Sequence, residues 1–219
     1  LIIILLIKTE IFNDSPNIRS SHDNITTTSG GIALLVSYLL HALSSEDMSF
    51  NIIIAISIIS IIGIFDDKYD ISKLIRFAAQ FISSMLILSI YTFTIPELIF
   101  LTIGIVFIIN SYNFMDGIDM LATSHAIFLL SSFMFLSYIN NENMLYLHEN
   151  IVIVMLSLIV FSYFNITPAR IFLGNSGSYF LGIYIVATAI SLNSINFITF
   201  LILHSIFIVD TLYVLIYKF

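Results

Sequence analysis

The residues able to do chemistry in this chain fall in a few short polar stretches between long apolar runs. Asp66-Asp67-Lys68-Tyr69-Asp70 closes one such run. On a helix, Asp66 and Asp70 stand one turn apart on a shared face, with Asp67 beside them. Carboxylates packed this closely repel one another unless a cation or a metal-bound phosphate joins them. The plainer alternative is a solvated helix end with Lys68 as counter-charge. Further on, Asn110, Asn113, Asp116 and Asp119 recur at every third residue, and Gly117 permits a turn between the two acids. Their oxygens suit Mg2+, and the amides suit a sugar or a base. Helix capping alone needs fewer such groups.

Gly174-Asn175-Ser176-Gly177-Ser178 opens another apolar run, with Arg170 just upstream. Small residues at a helix start leave backbone N–H groups free for a phosphate that an Arg can pair with. Alone, the same stretch reads equally as a flexible turn. Arg19 and His22 share an early polar stretch, where an Arg near a membrane ordinarily meets lipid headgroups. Arg76 and Gln80 lie one turn apart at the start of a run, and Arg76 could simply snorkel towards headgroups. His41, His125, His148 and His204 are scattered singly and receive no role. Asp210 sits within the last apolar run, where it needs a partner or an aqueous cavity.

The elements that must hold these residues are membrane helices. Hydrophobic residues make up 59% of the chain and charged residues 10%, and the mean hydropathy is +1.06. A soluble domain of this length needs far more polar surface. The apolar runs are continuous rather than alternating, which excludes a barrel. Helices are expected at 30–45, 51–65, 74–92, 97–112, 120–138, 150–165, 177–192 and 197–217, with 1–7 closing an earlier one. The fold class is therefore all-α, a polytopic transmembrane bundle of about 8–9 helices. Several runs fall short of a full span, so helices are expected to extend into the polar stretches. The chain is read as one membrane domain over 1–219, trimmed at both ends. It contains no Cys, which removes disulfides, thiolate metal sites and Cys nucleophiles. A net charge of −7 argues against nucleic acid as a partner.

Lys8, Arg19, Lys68, Lys73, Arg76, Arg170 and Lys218 all fall in or beside connections of one parity. The opposite connections hold Glu46, Asp47, Glu142 and Glu149 but no Lys or Arg. The positive-inside rule then puts the acidic stretches on the cytoplasmic face of the cytoplasmic (inner) membrane.

Taken together and in order, these stretches resemble the polyprenyl-phosphate N-acetylhexosamine-1-phosphate transferases, the family that includes phospho-N-acetylmuramoyl-pentapeptide transferase. The matching parts are Asp14 to His22 followed by Gly30-Gly31, Asp66 to Asp70 with Arg76 and Gln80, Asn110 to Asp119, and Phe172 to Ser178. The Tyr69-Asp70 ending and Met120 look more like the GlcNAc-type branch. Asn175 stands where the family usually has a metal-binding Asp, and Thr28-Ser29 where a Pro-Arg pair often precedes the glycines.

The resemblance implies transfer of N-acetylhexosamine 1-phosphate from a UDP-sugar to undecaprenyl phosphate, releasing UMP and starting a cell-envelope polysaccharide. It implies Asp66 and Asp67 as catalytic, either taking a proton from the lipid phosphate or holding it through a metal. Arg19, His22, Asp70, Arg76, Asn110, Asn113, Asp116, Asp119 and Arg170 would bind substrate. Asn175, Asp67 and Asp116 would hold Mg2+, with Mn2+ as a substitute. The expected partners are the two substrates and the bilayer, with a homodimer among the allowed assemblies. Two other functions compete: a cation-coupled transporter using the same acids, and a catalytically inactive fragment of the same family. Clustering of polar groups at one face, rather than at the midplane, favours the enzyme over the transporter.

Overall fold

The computed structural model describes residues 2–9, 12–14, 26–45, 48–142 and 145–218. Among them are helices α1 (Ile2–Thr9), α2 (Gly30–Ala42), α3 (Phe50–Tyr69), α4 (Lys73–Leu88), α5 (Ile95–Met115), α6 (Leu121–Ile139), α7 (Leu145–Asn165), α8 (Gly174–Ser191) and α9 (Phe197–Lys218). The helices α3, α5, α6, α9 and the stretch Leu147–Asn165 of α7 are long and apolar enough to cross a membrane. The all-helical bundle and its helix count follow the expectation.

The boundaries shift in an instructive way. α3 runs to Tyr69, so Asp66 and Asp67 lie inside it. α5 runs to Met115 and carries Asn110 and Asn113 on its last turns. α8 starts at Gly174 instead of Gly177. Polar residues at these ends continue the helices because partners on neighbouring helices satisfy them. α4 ends at Leu88 and α2 at Ala42, short of the expected 92 and 45. α5 begins at a capping box, in which the Glu97 carboxylate accepts from the Thr94 backbone N–H at 2.9 Å, with Pro in the first turn.

α8 is the axis of the bundle. Every residue from Ser176 to Ala189 is buried, as expected of a helix apolar all round. α2, α3, α5 and α6 pack around it. Glycines set the closest approaches: a Cβ on Gly31 would lie 2.0 Å from the Gly177 nitrogen, backbone against backbone. The outer faces of the other helices carry exposed apolar side chains, among them Phe81, Ile103, Phe135, Ile202 and Ile206. Such faces suit acyl chains. Asp210 lies on the exposed side of α9. Inside, the Tyr112 hydroxyl and His125 Nδ1 are 3.0 Å apart, and His204 is fully buried beside them.

A small β pair was not anticipated. β1 (Asn13–Asp14) pairs antiparallel with β2 (Thr26–Thr27), and Thr27 bridges on to Ile171. The Phe172 N–H donates to the Thr27 carbonyl at 2.7 Å, and the Gly30 and Gly31 N–H groups donate to the carbonyls of Phe172 and Leu173, each at 3.0 Å. The segment before α2 is thereby fastened to the segment before α8. The starts of α2, α4, α6 and α8 and the ends of α3, α5 and α7 share one face of the bundle. Asn51 and Ser89, and Tyr91 and Ser191, meet at the other.

Candidate active site

The two adjacent acids of α3 point to different partners, because successive helix residues are rotated by about 100°. Asp66 turns inward, and its side chain is 1% exposed. Its Oδ2 accepts from Arg76 Nη1 at 3.1 Å and from the Tyr179 hydroxyl at 3.2 Å. Its Oδ1 accepts the Ile71 N–H at 3.1 Å. Both oxygens are engaged, and the pair clamps α3, α4 and α8 together.

Asp67 is half-buried and reaches the start of α8. Its Oδ1 accepts the Asn175 N–H at 2.7 Å and its Oδ2 the Ser176 N–H at 3.1 Å. The first N–H groups of a helix have no partner within it, and an anion there is favoured by the helix dipole. Gly174 makes the approach possible. Its φ is +74, and a Cβ there would lie 2.6 Å from the Thr28 carbonyl oxygen and 2.7 Å from Asp67 Oδ2. The small residues that could cradle a phosphate therefore already receive a carboxylate at two of their N–H groups.

Asp70 departs from the shared-face expectation. It ends α3 in the left-handed region at φ 46 and is exposed. The acidic triplet is thus split three ways and is not a single cation cage.

Asp116 follows the last residue of α5 and sits between the end of α3 and the start of α8. The residue as a whole is half-buried, but its carboxyl is crowded. That burial pushes its pKa well above the usual carboxylate range, the nearby Asp67 charge pushes the same way, the Gly174 N–H offsets part of it, and Asp119 adds a smaller push. The Asp119 carboxylate accepts the Thr167 hydroxyl at 2.9 Å.

The amides divide. Asn113 Nδ2 donates to Asn175 Oδ1 at 2.5 Å and to Ser178 Oγ at 3.2 Å, joining α5 to α8 beside Asp67. Asn110 instead donates to Gln80 Oε1 at 2.8 Å and to the Val106 carbonyl, a tie between α4 and α5. Arg170 is exposed and held by the end of α7: its Nη2 donates to the Tyr163 carbonyl at 3.1 Å, with its guanidinium 4.8 Å from the Phe164 ring centroid. Arg19 and His22 lie outside the described residues. The structure thus brings Asp67, Asp116, Asn113 and Asn175 together around the start of α8, with Asp66 and Arg76 alongside. Asn110 and Arg170 make other contacts, and Asp70 is exposed.

Two contributors escaped the sequence reading. Tyr179 completes the Asp66 clamp; a Tyr at the head of a buried apolar stretch, which must find a partner for its hydroxyl, was the available signal. Asn165 is buried, accepts the Met120 N–H at 2.9 Å and donates to the Ile171 carbonyl at 3.0 Å, fixing the start of α6 to the loop before α8.

Among the described residues no group of three or more acids and His is arranged as a ready-made metal cage. The donor set still suits Mg2+, which commonly takes one or two carboxylates and completes its shell with substrate phosphates and water. Asp67 and Asp116 are two such carboxylates, near enough for one charge to raise the pKa of the other.

Residues 49–193 match the family described as Glycosyl transferase family 4. The chain is 31% identical over 191 residues to a probable undecaprenyl-phosphate N-acetylglucosaminyl 1-phosphate transferase of Bacillus subtilis, covering 77% of this chain and 52% of that protein. It is 28% identical over 184 residues to the undecaprenyl-phosphate alpha-N-acetylglucosaminyl 1-phosphate transferase of Thermotoga maritima, covering 81% and 56%. It is 27% identical over 225 residues to a phospho-N-acetylmuramoyl-pentapeptide-transferase of Fervidobacterium nodosum, covering 94% and 71%. The chain spans about half the length of the first two of these relatives. The matched segment holds α3 to α8 and with them the acids, amides and glycines of the site, so the chain belongs to glycosyl transferase family 4.

Proposed function

We propose that the protein transfers N-acetylhexosamine 1-phosphate from a UDP-sugar to undecaprenyl phosphate, releasing UMP and starting a cell-envelope polysaccharide. The observation that carries this function is the meeting of Asp67 and Asp116 at the start of α8, at one end of the bundle, which is the headgroup level in the proposed topology. A phosphate-bearing lipid and a nucleotide sugar meet naturally at that depth. The names of the relatives support the same substrate pair. The polar groups of the site lie at helix ends, which favours a transferase over a transporter.

In the reaction a lipid phosphate oxygen forms a bond to the β-phosphorus of the nucleotide sugar. The bond from that phosphorus to the bridging oxygen breaks, and UMP leaves with its electron pair. Both reactants are anions, so the site must offset repulsion. Mg2+, held by Asp67 and Asp116, would neutralise diphosphate charge. The α8 N–H groups hold Asp67 in place, and Asn113 orients Asn175 at the rim. Asp66 acts as a positioning residue: it fixes Arg76, whose side chain remains 26% exposed and able to meet a phosphate. A proton on the lipid phosphate would pass to a free lone pair of Asp67.

The test uses full-length protein with UDP-GlcNAc labelled in the sugar and undecaprenyl phosphate. Labelled lipid with free UMP is expected. Release of UDP would mean attack at the sugar carbon and would overturn the proposed reaction.

A further inference from the structure

We propose that a cavity of about 300 Å3 at the opposite end of α8 binds a small uncharged ligand bearing hydrogen-bond acceptors, such as an ester or sugar oxygen. This site is separate from the transferase chemistry. The cavity lies between α2, α3, α7 and α8, far along the bundle from Asp67. Its inner wall is formed by Tyr38, Asn150 and Tyr184, and its rim by Tyr91, Ser191 and Asn193. Tyr38 and Asn150 are fully buried, whereas Asn193 is exposed, so the cavity deepens from the membrane face inward.

The polarity of the inner wall defines the ligand. The Tyr38 hydroxyl and Asn150 Nδ2 have no partner among the described residues. Asn150 Oδ1 is already occupied, accepting the Tyr184 hydroxyl at 2.8 Å. What remains is the Asn150 NH2, a donor only, and the Tyr38 hydroxyl, which can donate as well as accept; a molecule with acceptors satisfies both. Buried polar groups are normally satisfied, so two orphans lining one cavity call for an occupant. Among the described residues, no Asp, Glu, Lys, Arg or His lines the cavity. An ion entering it would lose hydration without gaining a counter-charge from these residues, so an uncharged ligand fits better. The Tyr38 and Tyr184 rings stand edge to face at 5.7 Å and give the ligand an apolar wall. The volume falls at the small end of ligand sites. An acceptor of this kind could come from a neutral glycerolipid at the membrane surface or from a soluble sugar.

The chain has no Cys, so Ser191→Cys in a full-length protein kept otherwise Cys-free gives a single thiol at the rim. In phosphatidylcholine nanodiscs, its modification by a small methanethiosulfonate is followed with monoolein or with methyl β-glucoside present. Saturable slowing by monoolein would support the site with a lipid ligand, and by methyl glucoside with a soluble one. Tyr38→Phe and Asn150→Leu should each weaken that protection roughly tenfold, the effect of one lost hydrogen bond. Melting temperatures run alongside identify any variant that fails to fold, and Tyr38→Phe, which removes only an oxygen, then decides alone. Absence of protection by either probe, or protection unchanged in Tyr38→Phe, would mean a hydrated cavity only and overturn the proposal.

Discussion

The carboxylate of Asp67 accepts the backbone N–H of Asn175 at 2.7 Å across 108 positions of sequence. With the Ser176 N–H on its other oxygen, Asp67 caps a helix to which it does not belong. The Leu173 N-cap position of α8 supplies no side-chain cap of its own. One acid therefore both completes the most buried helix of the bundle and stands at the centre of the candidate site.

Asp67→Asn should cost about 2 kcal/mol of stability, the worth of a charge-assisted hydrogen bond. The amide can accept one N–H but sets its own NH2 against the other. Unfolding in mixed micelles measures the loss. Transferase turnover should fall by at least ~10²-fold, more than the loss of folded protein accounts for. Turnover that tracks only the folded fraction would make Asp67 a cap and nothing more.

Arg76→Ala should destabilise more than Asp66→Asn, by about 3 kcal/mol, because it leaves the buried Asp66 charge without its counter-ion. The pair Asp66→Asn with Arg76→Met should recover most of that stability while remaining inactive. A double variant as unstable as Arg76→Ala would show that the charge pair is not the source of the cost. An active one would remove Arg76 from substrate binding.

Asn175→Asp should make the protein more dependent on Mg2+. The Asn113 amide would still donate to the new carboxylate, but another negative charge would join Asp67 and Asp116. Thermal stability without divalent cation should fall, and added Mg2+ should raise it more steeply than in the parent. Mn2+ titration by electron paramagnetic resonance should show tighter binding. Identical Mn2+ affinity in the two proteins would take Asn175 out of the metal site.

Topology is checked by labelling single thiols from either side. Tyr69→Cys and Ile118→Cys, both exposed at the acidic end, should react only from the cytoplasm. Asn140→Cys and Asn193→Cys, exposed at the other end, should react from outside. Outside labelling at position 118 would refute a cytoplasmic site.

Much of this protein was legible in its residues alone. Continuous apolar runs such as 51–65 and 97–112 have no soluble alternative, so the helices and their count were determined by composition and length. Alternation of polar stretches along those runs also fixed which stretches share one end: Asp66, Asp116 and Gly174 had to meet at the same face. What the tertiary structure decided was which atom meets which. Asp66 and Asp67 are neighbours in sequence with the same chemistry, yet one is spent on Arg76 and Tyr179 and the other on α8. Asn110 and Asn113 look equivalent, yet one binds Gln80 and the other Asn175. Arg170, placed upstream of a glycine-rich turn, is held by Tyr163 and Phe164 instead. The reason is common to all of these. Sequence spacing sets the angle at which a side chain leaves its own helix, but the partner it finds depends on which helix packs there. That depends on the close approach of α2, α3 and α5 to α8 through Gly31, Gly63 and Gly182, a three-dimensional fit that no single stretch encodes.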